Sequence, residues 1–168
     1  DANAAVTTYG PIAWWDVSRV QSFADLFKGA GTFNADLSKW DTSKVTDMST
    51  MFYGAGAFKQ DLIKWVTSIV TNRRQIFSGA RASNQDLNKW NTSKVTDMSG
   101  MFRGASSFAG NVSNWDVSRV TSMNSMFTGS QFNQPIGEWD TGAVTDMAWM
   151  FSYSQFNQPI GDWNTGAV

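Results

Sequence analysis

Trp40-Asp41-Thr42-Ser43-Lys44-Val45-Thr46-Asp47-Met48-Ser49-Thr50-Met51-Phe52 is a stretch that returns, edited, along the whole chain. A repeat of this kind decides a fold before any single element does. Tryptophans recur at Trp15, Trp40, Trp65, Trp90, Trp115, Trp139 and Trp163. Their spacing is 25 residues four times and then 24 twice. The lost residue follows a glycine, where Gly104-Ala105-Ser106-Ser107-Phe108 shortens to Gly129-Ser130-Gln131-Phe132. A deletion tolerated there marks a loop. Val20, Val45, Val70, Val95, Val120, Val144 and Val168 keep the same step, as do Phe27, Phe52, Phe77, Phe102, Phe127 and Phe151. Leu37, Leu62, Leu87, Val112, Ile136 and Ile160 form a further column. This is a repeat protein.

Each unit divides in two. The spacing of Leu37, Trp40, Thr42 and Val45 matches that of a leucine-rich repeat, with tryptophan in a leucine place. A short strand over residues 38–42 then turns Trp40 and Thr42 inward and Lys39, Asp41 and Ser43 outward. Thr46 suits a helix N-cap, and Asp47 complements the dipole of a first turn. Met48, Met51 and Phe52 lie at i, i+3 and i+4, an apolar stripe for one or two helical turns. Gly54 is then the left-handed stop. The pattern predicts an α/β repeat fold, a right-handed leucine-rich-repeat-like solenoid with a parallel β-sheet on one side and short helical turns on the other. Residues 1–14 read as an N-terminal cap and 15–168 as about six repeats, truncated in the last.

The totals narrow the chemistry. The chain has 168 residues and a net charge of −1, so no nucleic-acid or anionic-membrane partner is expected. Histidine and cysteine are both absent, which removes imidazole and thiolate catalysis, disulfides and the usual zinc sites. No cofactor is expected. Nine tryptophans and twelve phenylalanines make aromatic packing the dominant core term. No apolar run approaches the roughly 18 residues of a membrane span. The start at Asp1 and the lack of cysteine suggest an extracellular, cell-surface or lumenal protein that has lost a targeting segment.

Trp90-Asn91-Thr92-Ser93-Lys94-Val95-Thr96-Asp97-Met98-Ser99-Gly100-Met101-Phe102-Arg103-Gly104-Ala105 resembles the repeat of the BspA-like leucine-rich-repeat surface proteins. The likeness covers residues 11–168. It implies adhesion or protein–protein contact rather than catalysis, and it carries no motif of functional residues to transfer.

Four features are candidates for a site. Asp41, Asn91, Asp116, Asp140 and Asn164 form an outward acidic column that suits Asx turns first, with calcium and a two-carboxylate glycosidase pair as weaker readings. Thr42, Thr67, Thr92, Thr141 and Thr165 are in register as in an ice-binding ladder, but their column points inward. Gly29, Gly54, Gly79 and Gly104 read as helix stops, without a G-x-G-x-x-G motif or a phosphate-loop lysine nearby. Met48, Met98 and Met123 are core rather than metal ligands.

The unit at 63–83 departs most from the template. Ile63, Val66 and Ile69 replace polar residues, Arg73 takes a methionine place, Arg74 and Arg81 add charge, and Ser83 replaces phenylalanine. An apolar patch flanked by arginines suits a protein interface, and a decayed repeat is the plain alternative. Trp14, Tyr53 and Trp149 are further exposed aromatics by position. Val168 ends the chain in mid-unit, so either the chain continues or a partner covers that edge. The expected role is a non-enzymatic protein-interaction or adhesion module. An accessory subunit docked on a larger assembly, and a calcium- or carbohydrate-binding surface protein, are the alternatives.

Overall fold

The computed structural model describes residues 7–168. Among the described residues the helical ones are 7–9 and a 3₁₀ turn, Ile12–Trp14, and no repeat contains a strand or a helix. Parallel pairing is confined to isolated bridges that run Ser22, Asp47, Asn72, Asp97, Ser122 and Asp146. The expected leucine-rich-repeat-like α/β solenoid, with its parallel sheet and helical turns, is therefore overturned. The first six residues of the expected N-terminal cap lie outside the described residues.

Hydrogen bonding explains the difference. A helix over 48–54 would send each N–H four residues back along its own chain. Instead the N–H groups of Met48, Thr50, Phe52 and Gly54 cross to the carbonyls of Asn72, Arg74, Ile76 and Ser78 in the next repeat. Within the repeat, Met51, Tyr53 and Ala55 donate three residues back, to Met48, Thr50 and Phe52. The segment is a run of three overlapping β-turns. Thr50 and Gly54 occupy the third turn position with φ of 55° and 68°, as a type II turn requires. Left-handed residues at this interval interrupt any helix. The apolar stripe survives, because Met48, Met51 and Phe52 still face inward and are fully buried.

The expected strand fails in a related way. Trp40 and Thr42 do point inward, and Lys39 and Asp41 outward. Yet side chains, not a backbone ladder, join this part to its neighbours. The indole N–H of Trp65 reaches back to the Leu37 carbonyl at 3.1 Å, Trp90 to Leu62 at 3.0 Å, and Trp115 to Leu87 at 2.9 Å. In the other direction the Thr42 hydroxyl donates to the Val66 carbonyl at 2.9 Å and Thr92 to Asp116 at 2.8 Å. Thr46, expected as a helix cap, instead bonds back to Gln21 through both its N–H and its hydroxyl.

Stacking these turns puts like rings over like. Phe27, Phe52, Phe77, Phe102, Phe127 and Phe151 form one column, with centroids 5.5–5.9 Å apart and planes within 15°. A second column runs beside it, Phe33 to Phe58 and Phe108 through Phe132 to Phe156, and is broken at Ser83. Each offset pair adds about 0.5–1.5 kcal/mol beyond the area it buries.

The shortened loop has a local consequence. The indoles of Trp40, Trp65, Trp90 and Trp115 each donate 28 residues back, and Trp163 donates 27 back to Ile136. Trp139 sits at the junction of the two repeat lengths, and its buried indole N–H has no partner. Trp139→Phe therefore removes an unsatisfied donor, whereas Trp115→Phe breaks a hydrogen bond. Because the lost ring volume is the same, denaturant unfolding should show Trp115→Phe as more costly by about 1–2 kcal/mol. Equal losses would contradict this account.

Candidate interaction surfaces

Acidic and amide side chains are taken up by turns. Oδ1 of Asp41 accepts the Ser43 N–H at 2.9 Å, and Asp116, Asp140, Asn91 and Asn164 close matching turns. Asp36, Asp61 and Asp86 do the same one step earlier in the repeat, and Asp47, Asp97 and Asp146 one step later. The hydroxyl and N–H of Ser43 hold Asp41 below its ordinary value of 3.8, and Ser118 holds Asp116 down in the same way. Among the described residues, no group of three or more His, Cys, Asp or Glu side chains is arranged to hold a metal ion. The threonine column is buried at Thr42, Thr67, Thr92 and Thr141, so it presents no flat outer ladder.

Of the residues in the irregular third repeat, Val66 is 48% exposed, Ile63 and Ile69 are half-buried, and Arg74 and Arg81 are exposed. Arg73 is the exception. It was expected beside this patch and is instead wholly buried, because its column points to the core whatever residue fills it. Its guanidinium lies 5.0 Å from the Trp90 ring, and Nη2 donates to the carbonyls of Thr67 and Asn91. Nε and Nη1 have no partner. Burial pushes its pKa down to about 9, which still leaves it charged at neutral pH. The ladder is also damaged here. Met48 and Met98 donate their N–H groups to Asn72 and Ser122, but Arg73 makes no such bond to Asp97. Ser83 is likewise buried, and its hydroxyl donates to Gln85 Oε1 at 2.6 Å.

The exposed aromatics fall into two groups. Tyr53, 39% exposed, lies on an interior repeat. Trp14 and Trp149, at 70% and 71%, lie in the first and last parts of the described chain. Trp14 carries the Lys39 ammonium 3.5 Å over its ring. Trp149 is not on the outside of a helix but in a left-handed turn position with φ of 61°. Sequence reasoning missed Tyr9, Trp15, Val20, Leu26 and Tyr153, which are exposed at the same two ends. An apolar cavity of about 740 Å³ opens at the first repeat, lined by Ile12, Trp15, Val17, Phe23, Leu26 and Phe27 among others. The available signal was position alone, since the first and last described repeats each have a described neighbour on one side only. No helix of the described residues is long and apolar enough to cross a membrane.

A family model described as a Mycoplasma protein of unknown function, DUF285, matches the chain twice, over residues 2–90 and 79–168. No curated protein and no solved structure matches. The double match agrees with a repeat family, and the finer BspA-like likeness is not among the matches.

Two expectations follow from these side chains. Arg73→Met should stabilise the protein by about 1–4 kcal/mol, since it removes an unpaired buried charge. The carbonyls it leaves, Thr67 and Asn91, keep other donors in Val70 and Thr67. A lower thermal midpoint would refute the assignment. The second concerns acid. A carboxylate whose folded pKa is lowered contributes stability above its unfolded pKa and loses it as pH falls through the folded one. Asp41→Asn with Asp116→Asn keeps the turn acceptors and should give a shallower loss of thermal midpoint below about pH 4 than the parent chain.

Proposed function

The chain belongs to the DUF285 family, and from that premise we propose that it is a non-enzymatic protein-binding module. The observation that carries the reading is Val66, 48% exposed where other repeats have aspartate or asparagine. Its neighbours in the repeat, Ile63 and Ile69, are half-buried, and Arg74 and Arg81 are exposed. An apolar contact with a cationic margin suits a protein partner whose own contact is rimmed by Asp or Glu.

The rest of the chain supports a scaffold more than a catalyst. Carboxylates in all three turn columns are engaged by backbone N–H groups, and the two residue types most used for acid–base and nucleophilic work, His and Cys, do not occur. Regular repeats joined side by side give a long surface on which contact residues can vary without disturbing the core. The likeness to BspA-like surface proteins is our reason for proposing a cell-surface role in adhesion.

A pull-down from extracts of the source organism with the chain as bait tests the reading, beside a Val66→Asp, Ile69→Lys variant. The expected result is a protein captured by the parent chain and lost, by tenfold or more in affinity on the order of 1.4 kcal/mol, by the variant. Undiminished capture by the variant would remove this patch from the interface.

A further inference from the structure

Polar side chains in this stack are mostly taken up in closing turns, and one stretch of surface breaks the habit. A groove of about 250 Å³ runs over the turns of the third to sixth repeats. Arg74 and Arg103 line it, and both are exposed. Among the described residues neither guanidinium has an ion pair or a hydrogen bond. The Gln75 amide and the Ser99 hydroxyl, which also line the groove, have no partner either. At its other end Asn124 donates to both oxygens of Asp146, at 3.3 and 3.1 Å, and Ser125 donates to Asn124 at 2.8 Å. That carboxylate is therefore already engaged, and the free donors stand together.

The concavity has a cause in the repeat. Asp25, Thr50, Gln75, Gly100, Ser125 and Trp149 share one column of left-handed turn positions. Gly100 alone in that column has no side chain, and backbone angle is not the reason, because the other five hold similar angles with one. A Cβ at Gly100 would lie 2.9 Å from Gln75 Cγ, so the glycine is what lets Gln75 lie across the column there. Bridges from Asn72 through Asp97 and Ser122 to Asp146 set the step from repeat to repeat, about 4.8 Å for paired backbones. Arg74, Ser99 and Asn124, one position before the glycine column, follow one another along the groove at that step.

We propose that this groove binds an acidic saccharide unit, charged by a carboxylate or a sulfate. Guanidinium groups are planar forks that match either anion through paired hydrogen bonds. The Gln75 amide and the Ser99 hydroxyl both donate and accept, as the hydroxyls of a sugar ring require. A protein segment fits less well, since the centre of a protein interface is apolar and Gly100 is the one residue of this lining without a polar side chain. A nucleic acid needs a longer run of cations than two, and the chain carries a net charge of −1. The volume lies just under the roughly 300 Å³ at which sites for drug-sized ligands begin, which suits a single sugar unit or a chain end. The proposal goes beyond protein binding at Val66. Arg74 belongs to both readings, so the test rests on Arg103 and Gly100, which belong to the groove alone.

Calorimetric titration of the 168-residue chain with digalacturonic acid, with a sulfated chondroitin disaccharide and with maltose tests this. At least one acidic disaccharide should bind saturably and at least tenfold more tightly than maltose, and the one that binds identifies the charged group. Arg103→Gln removes a cation at an exposed residue. Gly100→Gln puts on the floor the side chain that the preceding repeat carries at Gln75. Each should still melt cooperatively and should weaken binding tenfold or more. Val66→Asp with Ile69→Lys should bind the sugar as the parent does, which keeps this site apart from the lateral patch. Failure of both acidic disaccharides to bind, equal binding of maltose, or undiminished binding by Arg103→Gln would overturn the proposal. So would inorganic phosphate or hexaglutamate binding as tightly as the acidic sugar, because the groove would then be reading charge alone.

Discussion

The structure depends on the hydrogen bond from one repeat to the residue 24 positions further on. No repeat contains a strand or helix that satisfies its own backbone, and although the turns close some bonds within a repeat, the N–H groups of Met48, Thr50, Phe52 and Gly54 and their counterparts are paired only when a neighbour is present. Indoles that reach back and threonine hydroxyls that reach forward extend this dependence to the side chains. Aromatic columns then add packing on top of a register that polar groups have already set. The cost of that arrangement shows at Trp139, where dropping a single residue leaves a buried indole without its acceptor.

Much of this was legible because side-chain direction does not require a secondary-structure assignment. The columns of Trp, Val, Phe and Leu, the inward Trp40 and Thr42, and the turn-closing aspartates all follow from spacing and residue chemistry. The helix did not, for a specific reason. Positions i, i+3 and i+4 fall on one face of a helix, and they fall on one face of this run of turns too. Only the backbone angle at Thr50 separates the two. Its column holds Asp25, Thr50, Gln75, Gly100, Ser125 and Trp149, which announce no common left-handed position. The glycine column at Gly54 did announce one, and a single left-handed residue reads as a helix stop.

Arg73 teaches a narrower lesson. Its place in a methionine column was visible, and in a repeat protein the column outranks the residue. A charge in an inward column goes inward, where two of its nitrogens find no acceptor and its own N–H falls out of the ladder. The neighbouring substitutions Ile63, Val66 and Ile69 occupy columns that face outward or lie at the margin, and they stay there. The third repeat is thus irregular on both faces for unrelated reasons.

The direction of the ladder was beyond the sequence altogether, since no residue type encodes which way an N–H points. It follows from the run of overlapping β-turns, in which Met48, Thr50, Phe52 and Gly54 send their N–H groups to the next repeat while Met51, Tyr53 and Ala55 bond within their own. In a helix, aligned peptide groups leave donors at one end and acceptors at the other, and those ends are where helices bind ions, caps and partners. Here the alignment runs across repeats instead of along a helix, with acceptors at the first repeat and donors at the last. Interior repeats are satisfied on both sides by the repeats they stack on, so each one is held in place by its two neighbours rather than by hydrogen bonds of its own.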